Sequence, residues 1–180
     1  MKVIGFCGLP GSGKSTAIKA IQDLGLVINM GDVIRDEAKK RNILPNDQNL
    51  GEIAKKLREE HGKGIIAEKC VQLIKNVKAE VVFVDGIRSL YEIDVFKEHW
   101  KFPLIEIATK NAIRHKRILE RSRSDDPIAL SNIIERDGRE IEFGIEEVLS
   151  QADYKITNNS TKEKLRRKTR KVVLKILKYY

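Results

Sequence analysis

The sequence predicts an α/β fold, a five-stranded parallel sheet held in a three-layer α/β/α arrangement, and two observations carry that prediction. Short apolar runs at 3–7, 26–29, 81–84, 104–108 and 154–157 alternate with segments whose apolar residues recur at helical spacing. The run Glu80-Val-Val-Phe-Val-Asp85 is continuously apolar up to its acid, as a strand covered on both faces must be. Strand and helix in alternation favour parallel pairing through crossovers. With 180 residues, 41% apolar and 34% charged, the chain suits one domain with an ordinary core. No stretch approaches the roughly 20 apolar residues of a membrane span. The chain enters a core strand at once, without the pattern of a signal peptide, so a cytoplasmic protein is expected. Cys7 and Cys70 stand in a predicted strand and a predicted helix, with no metal-ligand spacing, and read as buried apolar residues.

The first strand, Val3-Ile-Gly-Phe-Cys7, runs directly into Gly8-Leu9-Pro10-Gly11-Ser12-Gly13-Lys14-Ser15 and then Thr16. This is a complete G-x-x-x-x-G-K-[ST] motif in the context it requires, after a strand and before a helix. Glycines without Cβ let successive backbone N–H groups converge on one spot, and an anion belongs there. Residues 14–24 have helical spacing, so the loop should end at a helix N-terminus whose dipole also favours phosphate. Lys14 can reach β- and γ-phosphates and Ser15 can bind Mg²⁺.

The second strand ends in Asn29-Met-Gly31-Asp32-Val-Ile-Arg35, where a tight glycine turn is expected to open a helix. Residues at strand C-terminal ends line the crevice of an open sheet, so Arg35 can hold a second phosphate or, alternatively, pair with Asp32 or Asp36. The third strand ends in Asp85-Gly86-Ile87-Arg88-Ser89: Asp85 can orient the waters of an ion at Ser15, and Arg88 offers a planar fork for phosphate.

Between these strands, residues 44–78 hold a pair of amphipathic helices separated by His61-Gly-Lys-Gly64, part of a helical insertion spanning 36–78. A second insertion, 112–150, is rich in arginine. Arg117 and Arg121 are four apart and share a helix face, and Arg123, Arg136 and Arg139 follow. Such a set reads as a lid whose arginines stabilise charge during phosphoryl transfer.

The net charge of +9 is a property of the tail. Residues 162–178 hold nine Lys/Arg against one acid, Glu163. Leu165, Val172, Val173, Ile176, Leu177 and Tyr180 fall largely on one face, so 162–180 reads as a helix docked on the core with a solvated basic face. A surface for RNA or another polyanion is the less favoured reading, because no aromatic residue interleaves with the charges.

Taken together, these residues resemble the nucleoside monophosphate kinases, the adenylate and cytidylate kinase group of phosphate-loop proteins. The resemblance implies the phosphate-loop kinase fold, ATP and Mg²⁺, and a monophosphate acceptor. It assigns Gly8, Gly11, Ser12, Gly13, Lys14, Ser15 and Thr16 to the ATP phosphates. Gly31, Asp32 and Arg35 correspond to the family's Thr-Gly-Asp-x-x-Arg segment, with Met30 for the threonine. Gly86 and Arg88 correspond to Asp-Gly-Phe-Pro-Arg-Thr, one residue shorter here. Lys14, Asp85, Arg117, Arg121, Arg123 and Arg136 take catalytic and lid roles, Arg123-Ser-Asp-Asp126 resembling the lid pattern Arg-x-Asp-Asp. Ser15 and, through water, Asp85 hold the metal, and Asn158 and Asn159 lie where related kinases pass the donor adenine. Glu92 stands where adenylate kinases place an adenine-reading glutamine. A carboxylate only accepts hydrogen bonds and so suits the N–H edge of guanine or an exocyclic amine. The departures mark a divergent branch of the archaeal kinase-like type. The expected activity is γ-phosphoryl transfer from ATP to a nucleoside monophosphate. The rivals are a kinase for a hydroxyl acceptor such as dephospho-coenzyme A, with Asp32 or Asp85 as base, and a nucleotide-binding, RNA-associated regulator with slow turnover.

Overall fold

The computed structural model describes residues 1–121 and 129–180. In chain order the elements are β1 (Lys2–Cys7), α1 (Lys14–Lys19), β2 (Leu26–Asn29), α2 (Met30–Lys40), α3 (Asp47–His61), α4 (Ile65–Lys75), β3 (Val81–Ile87), α5 (Leu90–Lys97), β4 (Leu104–Ala108), α6 (Asn111–Arg121), α7 (Leu130–Glu142), α8 (Ile145–Ser150), β5 (Tyr154–Thr157) and α9 (Lys162–Tyr179). The strands pair in parallel in the order β2-β3-β1-β4-β5. β1 is therefore central. The chain builds outward to β3 and β2 on one side, then crosses to β4 and β5 on the other, so the crevice opens at the C-terminal end of β1.

The continuous apolar runs are buried on both faces, as the expected covering by helices requires. Val3, Cys7, Val82, Val84 and Leu104 face a core shared with α2, α3, α4, α5 and α8. Ile4, Phe6, Phe83, Ile105, Ile107 and Ile156 face a second core beneath α1 and α9. Both cysteines are buried, and burial pushes each thiol up to about 12, which keeps them inert at neutral pH. Among the described residues no helix is long and apolar enough to cross a membrane.

Three local expectations are corrected. The helix predicted over 14–24 ends at Lys19; Ile21 and Leu24 keep their inward positions through tighter three-residue turns, Ile21 N to Ile18 O (3.0 Å) and Leu24 N to Ile21 O (2.9 Å). β3 runs to Ile87 and bulges at Gly86, whose φ of 102° needs glycine. The turn before α2 is made by Asn29, whose side chain accepts from Gly31 N at 2.8 Å as an N-cap, with Gly31 inside the helix.

α9 docks through Leu165, Thr169, Val173 and Ile176, one helical face. Its end is tied to β1 where Val3 N donates to the Tyr180 hydroxyl (2.9 Å) and Lys2 Nζ to Leu177 O (2.8 Å).

Candidate active site

The loop after β1 takes positive φ at Gly8 (143°), Gly11 (78°) and Gly13 (104°), which turns its amides inward as side-chain-bearing residues could not. Neighbours also press on it. A Cβ at Gly11 would lie 2.8 Å from Arg114 O, and one at Gly13 2.3 Å from Asn158 Nδ2. The loop is braced from behind by the ends of β4 and β5. Asn158 Nδ2 donates to Ser12 O (2.7 Å), Thr109 Oγ1 donates to the same carbonyl (2.8 Å), and fully buried Arg114 donates to Pro10 O (2.8 Å). Replacing Asn158 with Ala removes a buried donor to the Ser12 carbonyl. Thr109 still donates to that carbonyl, so a loss of about 0.5–1.5 kcal/mol is expected, read as a lower urea midpoint.

In front of the loop is a cavity of about 480 Å³ lined by Gly8, Gly11, Ser12, Gly13, Lys14, Ser15 and Thr16. Asp85 and Gly86 at the end of β3, Gly31 and Arg35 of α2, Arg88, Arg117 of α6, Arg136 and Glu140 of α7 and Asn158 line the same cavity. Six basic side chains, with Lys162 among them, face three acids there. Two buried polar atoms at this cavity, Ser12 Oγ and Arg117 Nη1, have no hydrogen-bond partner among the described residues. Groups of this kind are left waiting for an oxygen-rich ligand. Lys14 curls onto the loop, donating to Gly8 O and, at 3.5 Å, to Leu9 O. Burial holds its pKa below the ordinary lysine value, while Asp85 and Glu140 act in the opposite direction.

The arginines around the cavity carry their own compensation. Arg88 Nε pairs with buried Glu140 (3.1 Å), Arg136 Nε with Asp47 (3.0 Å), and Arg35 with Asp32 (2.8 Å). Arg139 joins Asp47 from the next turn of α7 and Glu135 on its own helix (3.0 Å). Asp47 thus ties α3 to α7. Gly31 permits the Arg35 rotamer, since a Cβ there would meet Arg35 Nη1 at 3.1 Å.

Some expected site residues lie elsewhere. Glu92 does not line the cavity. It is fully buried at the start of α5, where Oε1 accepts from Arg58 (2.8 Å) and Oε2 from Arg88 N (2.8 Å), while Ser89 caps Glu92 N (3.3 Å). The signal was present as Ser89-x-x-Glu92, a helix-start pattern in which the fourth residue reaches back to a backbone N–H. Asp32 is exposed and engaged with Arg35 rather than lining the cavity. Asn158 reaches the cavity mainly as a brace, and Asn159 instead caps Lys110 N (3.1 Å). Arg123, with Ser124, Asp125 and Asp126, lies outside the described residues, as does the Arg121 side chain. Asp47, Glu140 and Arg114 were not singled out as site residues, and no local pattern marks them: each acts on a partner far away in sequence.

A phosphate loop after the central strand of this five-stranded parallel order is the arrangement of phosphate-loop kinases, and residues 7–133 match the AAA_17 family, an AAA domain. The chain belongs to the UPF0200 family: it is 39% identical over 176 residues to a UPF0200 protein of Methanosarcina mazei, covering 96% of this chain and 94% of that one. It is 42% identical over 183 residues to the UPF0200/UPF0201 protein of Archaeoglobus fulgidus, covering 99% of this chain, and spans 57% of that relative's length. The fold is shared with a shikimate kinase from Acinetobacter baumannii, solved in complex with shikimate, at a TM-score of 0.61 and 15% identity over 99% of this chain and 94% of that one.

Proposed function

We propose that this protein transfers the γ-phosphoryl group of ATP to a small acceptor that already bears a phosphate, most simply a nucleoside monophosphate. The observation that carries the reading is the convergence on one cavity of a phosphate loop and arginines from three further segments, Arg35, Arg88, and the pair Arg117 and Arg136 from the second insertion. Phosphoryl transfer needs positioning and charge stabilisation more than covalent chemistry, and this is what the lining supplies.

The loop amides, Ser12 Oγ and Lys14 hold the donor phosphates. For Lys14 this means leaving the Gly8 and Leu9 carbonyls for phosphate oxygens. Ser15 and Asp85 offer the hard oxygen donors that suit Mg²⁺, which takes few protein ligands alongside water and phosphate. That ion would neutralise charge on the donor phosphate oxygens. Arg88 and Arg35 hold the acceptor phosphate in exchange for Glu140 and Asp32. Arg117 and Arg136 cover the transferring group from the second insertion. An acceptor phosphate is anionic at neutral pH, so no general base is required.

The test is ADP release from Mg-ATP with AMP, GMP, CMP, UMP, dephospho-coenzyme A or no acceptor. Release with a monophosphate is expected, and Arg88→Ala or Arg35→Ala is expected to raise the acceptor KM about 10- to 100-fold. Release with dephospho-coenzyme A alone assigns a hydroxyl acceptor and rejects phosphoryl transfer to a monophosphate; equal slow release in every tube rejects a kinase for any of these acceptors.

A further inference from the structure

A second concave surface lies at the opposite end of the sheet from the phosphate loop, against the residues that open β4 and β5. It is an open groove of about 680 Å³ lined by Trp100, Tyr154, Tyr179 and Tyr180, with Lys97 and Lys101 alongside. The groove also holds Glu98 and Asp153, and Asp153 is engaged as acceptor for Leu104 N at 2.8 Å. Tyr179 is 72% exposed. Lys178 Nζ lies 5.3 Å from its centroid, and Lys2 Nζ lies 5.9 Å from that of Tyr180.

The groove continues a line of charge. On α9, Lys164, Lys168, Lys171, Lys175 and Lys178 are spaced four, three, four and three apart, which sets them on one helix face for about 21 Å at 1.5 Å per residue. All five are exposed on a helix whose apolar face is already buried in the core. Among the described residues none of the five has a carboxylate at ion-pair distance; Arg170, which lies off this face, is the α9 cation that does, with Asp23 at 2.8 Å. Tyr179 stands four residues beyond Lys175, so the stripe runs into the aromatic groove. The sequence puts no aromatic residue among these charges. The fold supplies Trp100 and Tyr154 from the starts of β4 and β5.

We propose that this stripe and groove form a binding surface for a single-stranded polynucleotide, separate from the nucleotide cavity. The lysines track successive phosphates, the exposed Tyr179 ring stacks a base, and the partly exposed faces of Trp100, Tyr154 and Tyr180 line the groove beside it, the two components of single-strand recognition. A duplex keeps its bases paired and offers the rings nothing to stack. An anionic membrane does not fit equally well, because the apolar face of α9 is buried in the core and cannot enter lipid.

The experiment titrates the full-length protein with fluorescein-labelled oligouridylate or oligothymidylate of about 15 nucleotides, or a duplex of the same length, with saturating Mg-ATP present to fill the phosphate cavity. Trp100 is the chain's single tryptophan, so its emission reports on the groove. Binding of a single strand with quenching of Trp100 is expected, whether ribo- or deoxyribo-, with weaker binding of the duplex. Tyr179→Ala should weaken it about 5- to 150-fold. The triple change Lys171→Glu, Lys175→Glu, Lys178→Glu should weaken it at least about 10-fold and flatten the plot of log affinity against log salt by about 2. Both variants should keep the parent's thermal shift with ATP, which shows that they fold. The proposal is overturned if no single strand binds at low salt. It is equally overturned if duplex binds as tightly with Trp100 emission unchanged, or if Tyr179→Ala binds as the parent does.

Discussion

Lys14→Met is expected to remove ATP-dependent stabilisation and to lower turnover about 10²- to 10³-fold, the cost of losing one preorganised charge at a reacting phosphate. Without nucleotide the variant should unfold within about 1 kcal/mol of the parent, because two effects oppose each other. The substitution relieves the desolvation of a buried ammonium, and it removes one cation that interacts with Asp85. At a nucleotide concentration of about 100 times Kd the parent gains about 2.7 kcal/mol, or roughly 5–10 °C in Tm; the variant should gain none. A pH series adds a second readout. Burial lowers the Lys14 pKa from the ordinary 10.5, so between the folded and unfolded values the unfolded chain binds more protons than the native one. The contribution of Lys14 to nucleotide-free stability therefore rises with pH across that window, and the variant should lose that part of the slope. ATP binding needs the charged form, so the thermal shift of the parent should shrink as pH rises through the same window. A Lys14→Met protein that kept its ATP-induced shift would remove the phosphate loop from the proposed mechanism.

Arg58→Met is expected to destabilise the fold by about 3–5 kcal/mol, since it strands a carboxylate with no exposed surface. At roughly 2–4 °C per kcal/mol for a chain of this size, Tm should fall by about 6–20 °C. The arginine links three parts of the structure. Its Nη2 donates to Glu92 (2.8 Å), its Nη1 to Ala54 O (3.1 Å), and its guanidinium lies 4.4 Å from the Phe143 ring centroid between α7 and α8. Glu92 in turn holds Arg88 N, so the pair also sets the segment from which Arg88 enters the cavity. Glu92→Gln should show the same loss in milder form, together with a raised acceptor KM. This separates the two roles for Glu92. If its side chain reads the acceptor base, Glu92→Gln leaves the urea midpoint in place and changes which monophosphate is preferred.

The phosphate loop, the five strands and the alternation of strand and helix were legible from sequence because each is written in neighbouring residues. The glycines of 8–13 act on their own backbone, and the apolar runs report burial on both faces without reference to a partner. The docked face of α9 was legible for the same reason, as a period of apolar residues within one segment. The order of the strands was not, since a parallel crossover leaves no local record of which neighbour it reaches. Nor was the partner of any charged side chain. Glu92 looks equally like a base reader or a buried anchor until Arg58, 34 residues away, is brought beside it. Arg88 reads as an open phosphate fork and Arg136 as a lid arginine until Glu140 and Asp47 fold against them. Trp100, Tyr154 and Tyr179 are scattered along the chain, and only the docking of α9 beside the starts of β4 and β5 places them in one groove. Local backbone preference and periodic burial are set by near neighbours, whereas electrostatic pairing and surface shape depend on distances that exist only after the chain has closed on itself.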